Sequence, residues 1–186
     1  MRRFEKMIID FTDILEKTKI DYVIVGGIAV SSWGNPRTTK DLDVIIVLKI
    51  EDIDELSKNL QENGFSTDRE DIKDALKEKT HFTIFDKYSE YHIDAKGAYN
   101  EFDALTIKNK LVVLYEGHKM CIASPEDTIA HKLLFGGHQD IKDAQSILVR
   151  QSGKIDKNYL EELCENLGVL NELETLKERI KNDQIP

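Results

Sequence analysis

The chain has 186 residues, with 26 Lys and Arg against 35 Asp and Glu, giving a net charge of −9 at neutral pH. This length suits one α/β domain with a modest extension, and the acidic balance argues against a protein that grips a long duplex, because phosphate contacts supply most of that affinity. Its 40% hydrophobic and 33% charged content is that of a soluble globular protein; no apolar run nears the roughly 20 residues of a membrane span, no signal-peptide stretch follows Met1, and the expected location is the cytoplasm.

Phe4, Met7, Ile8, Phe11 and Leu15 recur at helical spacing and predict an amphipathic first helix. Tyr22-Val23-Ile24-Val25 is a short β-prone run ending at Gly26-Gly27. Residues 28–33 then read as a short helix, stopped by Gly34-Asn35-Pro36. Residues 41–48 give the strongest strand signal, a nearly continuous apolar run suited to a buried sheet position. Helices are expected over about 53–60 and 71–79, and two strands over 82–85 and 91–94, joined by a polar turn. Residues 111–115 and 118–122 form a hairpin pattern around Glu116-Gly117. From Ser124 the pattern is helical only. An N-cap serine, Pro125 at the first helical position and the acids Glu126 and Asp127 open a helix, and others follow near 140–150, 158–166 and 170–180. The expected organisation is an α/β core over 1–123 and a helical extension over 124–186.

Cys121 and Cys164 are far apart and read as small buried hydrophobes, and the five histidines are scattered, so zinc is not expected. The chemistry lies elsewhere. Asp41 and Asp43 stand two apart at the start of a strand, so their side chains share one side of a sheet. Asp94, at the end of its own predicted strand, is the third carboxylate if that strand lies beside the first. Such a trio can hold two hard divalent ions that clamp the attacking and leaving oxygens of phosphoryl chemistry. An Asp-x-Asp pair by itself is weak evidence, since Asp52-Ile53-Asp54 is another and reads as solubilising charge at a helix start. The context of Asp41 and Asp43 strengthens them: a glycine pair after a strand, a short helix, a polar loop, then acids entering an apolar strand. Gly26 and Gly27 lack Cβ atoms and allow close approach of a phosphate, and the following helix directs free N–H groups and its positive dipole end toward that anion. His92 shares a strand face with Asp94 and reads as a structural histidine.

Gly26-Gly27 followed by Asp41-Leu42-Asp43-Val44 resembles the Gly-Gly/Ser … Asp-x-Asp motif of the DNA polymerase β-like nucleotidyltransferase superfamily. The run from Gly34 to Asp43 is similar to the Gly-x-x-Arg-x-Thr-x-Asp-x-Asp string of its small prokaryotic branches, which include the abortive-infection (AbiEii-like) type IV toxins. Ser124-Pro125-Glu126-Asp127, Lys132, Asp140 and Asp143 resemble the toxins' late motif. The resemblance implies a polymerase β-like fold with a small mixed sheet flanked by helices, and Mg²⁺-dependent transfer of a nucleotidyl group from a nucleoside triphosphate. It implies that Asp41 and Asp43 ligate two Mg²⁺ ions, that Asp94 joins the one activating the acceptor hydroxyl, and that Gly26 and Gly27 hold the triphosphate. Arg37 and Lys132 are then candidates to neutralise phosphate charge. In the toxin branch the acceptor is a tRNA end or a protein hydroxyl and an antitoxin-like partner is expected; the alternative is a small-molecule acceptor, as in the lincosamide and aminoglycoside nucleotidyltransferases. A non-catalytic nucleotide-binding protein is a third reading. Where many toxins have Gly-Ser, this chain has Gly26-Gly27, and no toxin-like lysine-rich second motif aligns. Sugar-nucleotide transferases and haloacid-dehalogenase-like phosphatases fit less well, because here the acids come early and precede the apolar run.

Overall fold

The computed structural model describes residues 2–183. Helix α1 (Phe4–Thr18) buries Met7, Phe11 and Leu15 on one side and ends at Lys19, whose left-handed backbone turns the chain straight into strand β1 (Asp21–Ile24). Helix α2 (Gly26–Trp33) follows, then strand β2 (Asp41–Val47), helix α3 (Ile53–Glu62), the two-residue strand β3 (Phe65–Ser66) and helix α4 (Arg69–Glu78). Strands β4 (His81–Asp86) and β5 (His92–Gly97), helix α5 (Glu101–Lys108), and strands β6 (Leu111–Tyr115) and β7 (His118–Ile122) complete the α/β part. Helices α6 (Pro125–Phe135), α7 (His138–Arg150), α8 (Lys157–Asn166) and α9 (Leu170–Asp183) end it.

Two units emerge from the packing. The first joins residues 2–28 to Thr38–Ala123, and the second joins Ala29–Arg37 to residues 124–183. All seven strands lie in the first unit and form one open mixed sheet in the order β3-β4-β5-β2-β1-β7-β6. Two of its pairings, β2 with β5 and β1 with β7, are parallel; the rest are antiparallel. Among the described residues no helix is long and apolar enough to cross a membrane.

The two faces of this sheet differ, and the difference follows from period-two alternation. Leu42, Val44 and Ile46 of β2, Ile93 and Ala95 of β5, and Phe82 and Ile84 of β4 are buried on one face. Helices α1, α3 and α4 contribute Phe11, Leu56, Leu60 and Ile72 to the same core. Each of these side chains larger than alanine stabilises the fold by about 1.5–3 kcal/mol when fully buried. On the opposite face Val23 and Ile45 pack with Ile107 of α5 and with Ala123. Helix α5 therefore covers one end of that face, and the end bearing Asp41 and Asp43 is only partly buried.

Neither α5 nor β3 is expected from sequence periodicity. Helix α5 is defined by its cap, the Asn100 side chain accepting from Asp103 N–H at 2.8 Å, and it is tied to β5 by Lys96 Nζ bonding the buried Asp103 carboxylate at 2.7 Å. Strand β3 is too short to show alternation. Strand β5 also runs three residues beyond the predicted end, so Asp94 sits inside the strand.

The start of the chain locks the β3–β4 edge. Arg2 sets one guanidinium nitrogen 2.9 Å from Asp86 and donates from another to Asn63 O at 2.8 Å. Its guanidinium carbon lies 4.9 Å from the ring centroids of both Phe65 and Tyr88. The Asp86 side chain is wholly buried, so loss of its cation strands a charge. Arg2→Ala is expected to lower the unfolding free energy by roughly 3–5 kcal/mol, read from urea denaturation. Arg3→Ala, at a mostly exposed neighbouring side chain, should change it little.

Candidate active site

Asp41 and Asp43 leave the partly buried face of β2 in register with β5. Asp41 stands opposite His92 and Asp43 opposite Asp94. One ligand atom from each of Asp41, His92 and Asp94 lies within 4.8 Å of the others. Strand β4 flanks them on the far side, with Thr83 opposite Asp94 and Phe85 opposite His92. All of these are odd–even partners of a single pleat, which is why residues from three strands share one strip of surface.

The Asp41 and Asp94 carboxylates are each held by a threonine. The Asp41 carboxylate receives the Thr39 hydroxyl, and Thr39 thereby fixes the entry of the polar loop into β2. Thr83 Oγ1 donates to Asp94 Oδ1 at 2.8 Å, while Asp94 Oδ2 lies 3.6 Å from His92 Nε2. Thr83 orients one oxygen of Asp94 and leaves the other turned to the imidazole. The His92 ring meets the exposed Phe85 ring at a centroid distance of 6.5 Å.

Gly26 closes the strip on the β1 side. Val25 N–H bonds Asp43 O at 3.0 Å, which brings the end of β1 against β2. Gly26 then adopts φ +61°, and a Cβ built there would fall 1.9 Å from Asp43 Oδ2. Both the left-handed backbone and the space demand glycine. Helix α2 begins at Gly26, two residues earlier than the sequence suggests.

Arg37 and Lys132 belong to the second unit, where both meet one buried acid. Arg37 Nε lies 3.3 Å from Asp143 Oδ2, and Lys132 Nζ lies 3.7 Å from the same oxygen and 2.7 Å from Asp140 Oδ1. Gln139 donates to the other Asp143 oxygen at 2.8 Å. Lys132 is thus a largely buried ion-pair member and not a lysine extended along the surface. On the same helix Thr128 is buried, and its hydroxyl bonds Ser124 O at 2.7 Å across the first turn.

The structure therefore brings Asp41, Asp43, Asp94, Gly26 and Gly27 together in the first unit, and Arg37 and Lys132 together in the second. His92 lies in the acidic strip, its Nε2 3.6 Å from Asp94, and Thr83 escaped sequence reasoning altogether. The signal for Thr83 was present: a polar residue alternating with Phe82 and Ile84, whose pairing opposite Asp94 appears only once the β4–β5 register is known.

A mixed sheet carrying carboxylates beside a glycine turn is the arrangement the resemblance to nucleotidyltransferases leads one to expect. The chain belongs to the family described as "Nucleotidyltransferase of unknown function (DUF6036)", which matches residues 2–182. It is a nucleotidyltransferase. No curated protein matches its sequence. Its fold is similar to that of ANT(2″)-Ia in complex with adenylyl-2″-tobramycin, with a TM-score of 0.59 and 13% identity, covering 87% of this chain and 94% of that one. The lincosamide antibiotic adenylyltransferase LnuA, lincomycin-bound, gives 0.52 at 16% identity over 79% and 99%. A putative nucleotidyltransferase from Thermotoga maritima gives 0.55 at 18% identity over 80% and 96%.

Gly26→Ala tests the packing of the turn. The left-handed backbone should cost about 1–2 kcal/mol, and the added methyl group must displace the Asp43 carboxylate. Urea denaturation is expected to show at least that loss, whereas Gly153→Ala, also at positive φ but in open space, should show the backbone cost alone.

Proposed function

We propose that the chain moves a nucleoside monophosphate from a nucleoside triphosphate to an acceptor hydroxyl, releasing pyrophosphate. The observation that carries this reading is the convergence of Asp41, Asp43 and Asp94 beside a turn that any side chain would obstruct. The carboxylate oxygens of Asp41, Asp43 and Asp94 fit a hard divalent cation such as Mg²⁺, two ions in this reading. Bound there, Mg²⁺ would polarise the phosphate and lower the pKa of the acceptor hydroxyl. Asp41 and Asp43 are the proposed ligands of both ions, and Asp94 of the second. Asp94, oriented by Thr83, takes the acceptor's proton. The acceptor oxygen bonds to the α-phosphorus as the bond from that phosphorus to the bridging oxygen breaks, and pyrophosphate departs with the bonding electrons. Gly26 and Gly27 offer backbone N–H groups to the triphosphate. Arg37 and Lys132 remain candidate phosphate-binding cations, each exchanging a carboxylate for phosphate.

For the acceptor, the observation that weighs most is a groove of about 400 Å³ whose lining includes Asp71, Asp74 and Glu78 of α4 and His81, Thr83 and Phe85 of β4. Three acids and an exposed aromatic ring next to the Asp94 anchor Thr83 suit a small cationic molecule bearing hydroxyl groups. That choice accords with the antibiotic ligands named for ANT(2″)-Ia and LnuA. A toxin-like enzyme modifying tRNA or protein is the second reading, favoured by the Arg37-Thr38-Thr39-Lys40-Asp41-Leu42-Asp43 string and the Lys132 motif.

With Mg²⁺ and α-labelled nucleoside triphosphate, purified protein should label an aminoglycoside-like polyamine and release pyrophosphate. EDTA should abolish this, and Asp43→Asn should lower turnover on the order of 10²–10³-fold. Asp74→Asn with Glu78→Gln should raise KM for the cationic acceptor with little change in kcat. Triphosphate binding that ignores both metal and Asp43 would overturn the reaction. Labelling of tRNA or protein alone, with growth arrest on expression, would select the toxin reading.

A further inference from the structure

Strand β6 is one edge of the sheet, and its five residues, Leu111-Val112-Val113-Leu114-Tyr115, carry no charge and no proline. Leu114 is 73% exposed, Val112 60%, Leu111 42% and Tyr115 40%. The opposite edge, β3, has two residues and buries Phe65. Edges are ordinarily blunted by shortness, charge or proline, and a long apolar edge is a template for another strand.

The direction of the free backbone groups follows from β7. Cys121 N–H points to the Tyr22 hydroxyl at 3.4 Å and Ala123 N–H to Ile24 O at 2.9 Å, both on the β1 side. The even-numbered residues of β7 therefore bond β6, and Met120 and Ile122 stand opposite Val113 and Leu111. On β6, Leu111, Val113 and Tyr115 bond inward, while Val112 and Leu114 direct N–H and C=O groups away from the sheet.

We infer that β6 is the self-association edge of this protein, pairing antiparallel with β6 of a second copy about a two-fold axis at Val113. In that register Val112 exchanges ladder hydrogen bonds with Leu114 of the second copy, and Leu114 with its Val112. Leu111 packs beside the second copy's Tyr115. Lys110 stands opposite the second copy's Glu116, so the strand ends are complementary in charge; Lys110 also holds Asp21 of its own chain. A shift of two residues either way sets Lys110 opposite Leu114, or Glu116 opposite Val112, and loses the Lys110–Glu116 match and part of the ladder. The chain's own ends thus select one symmetric register, and the occupant that satisfies it is a second copy.

The axis makes the test register-specific. Val113 faces its own equivalent in a non-hydrogen-bonded pair, where Cα atoms lie about 4.5 Å apart, within the range a disulfide spans. Val113→Cys in the full chain should form a covalent dimer on mild oxidation, and Val112→Cys, facing Leu114, should form at least about tenfold less, given the geometry a disulfide requires. The native thiols interfere little, since Cys121 and Cys164 are buried and burial pushes Cys164 up to about 11. Sedimentation equilibrium should show a wild-type dimer at micromolar concentration. Val112→Pro should weaken it at least about 100-fold, through lost ladder hydrogen bonds, with the circular dichroism unchanged; should that variant unfold, Leu114→Lys serves in its place. A wild-type monomer throughout, a dimer indifferent to both substitutions, or equal cross-linking at 112 and 113 would overturn the inference.

Discussion

The parallel pairing of β2 with β5 is the constraint on which the site depends. These strands are separated in the chain by α3, β3, α4 and β4, yet their register sets Asp43 opposite Asp94 and Asp41 opposite His92. Converging carboxylates repel one another and cost free energy unless a cation joins them. The offset comes from the other face of the same strands, where Leu42, Val44, Ile46, Ile93 and Ala95 are all essentially inaccessible to water. Apolar burial on one face thus holds an unfavourable electrostatic arrangement on the other. Helix α5 limits how far that arrangement extends, since Ile107 and the Lys96–Asp103 pair close off the far end of the strip.

The second unit handles charge differently. Asp143 is buried and meets both Arg37 and Lys132, with Asp140 completing the local balance. Two cations and two carboxylates balance there, so the buried Asp143 carries no uncompensated charge. The first unit gathers negative charge on a flat face; the second gathers compensated charge among helices.

Much of this was legible from residue patterns because the patterns record physical necessity. The 41–47 strand announces itself by an apolar run with acids at alternate positions, the Glu116-Gly117 hairpin by its turn residues, and α6 by Ser124 and Pro125 at its start. Gly26 was legible as a turn glycine, but the role the structure shows for it, making room for Asp43, depends on the approach of β1 to β2. Thr83 and His92 were obscured for the same reason: a threonine in a strand or a histidine near an acid means little until β4, β5 and β2 are laid side by side. Helix α5 was hidden because a cap and a single ion pair define it, not a repeating apolar face. The ion pairs of Lys132 were hidden because both carboxylates lie on the next helix.

Alternation on β2 also bears on how faithfully the chain folds. A slip of one residue against β5 would exchange the two faces, sending Asp41 and Asp43 beneath the helices and turning Leu42 and Val44 to water. Burying two unpaired carboxylates costs several kcal/mol each at least, so such misaligned species are strongly disfavoured. The acids proposed to serve chemistry thereby act earlier, as proofreaders of strand alignment while the sheet assembles.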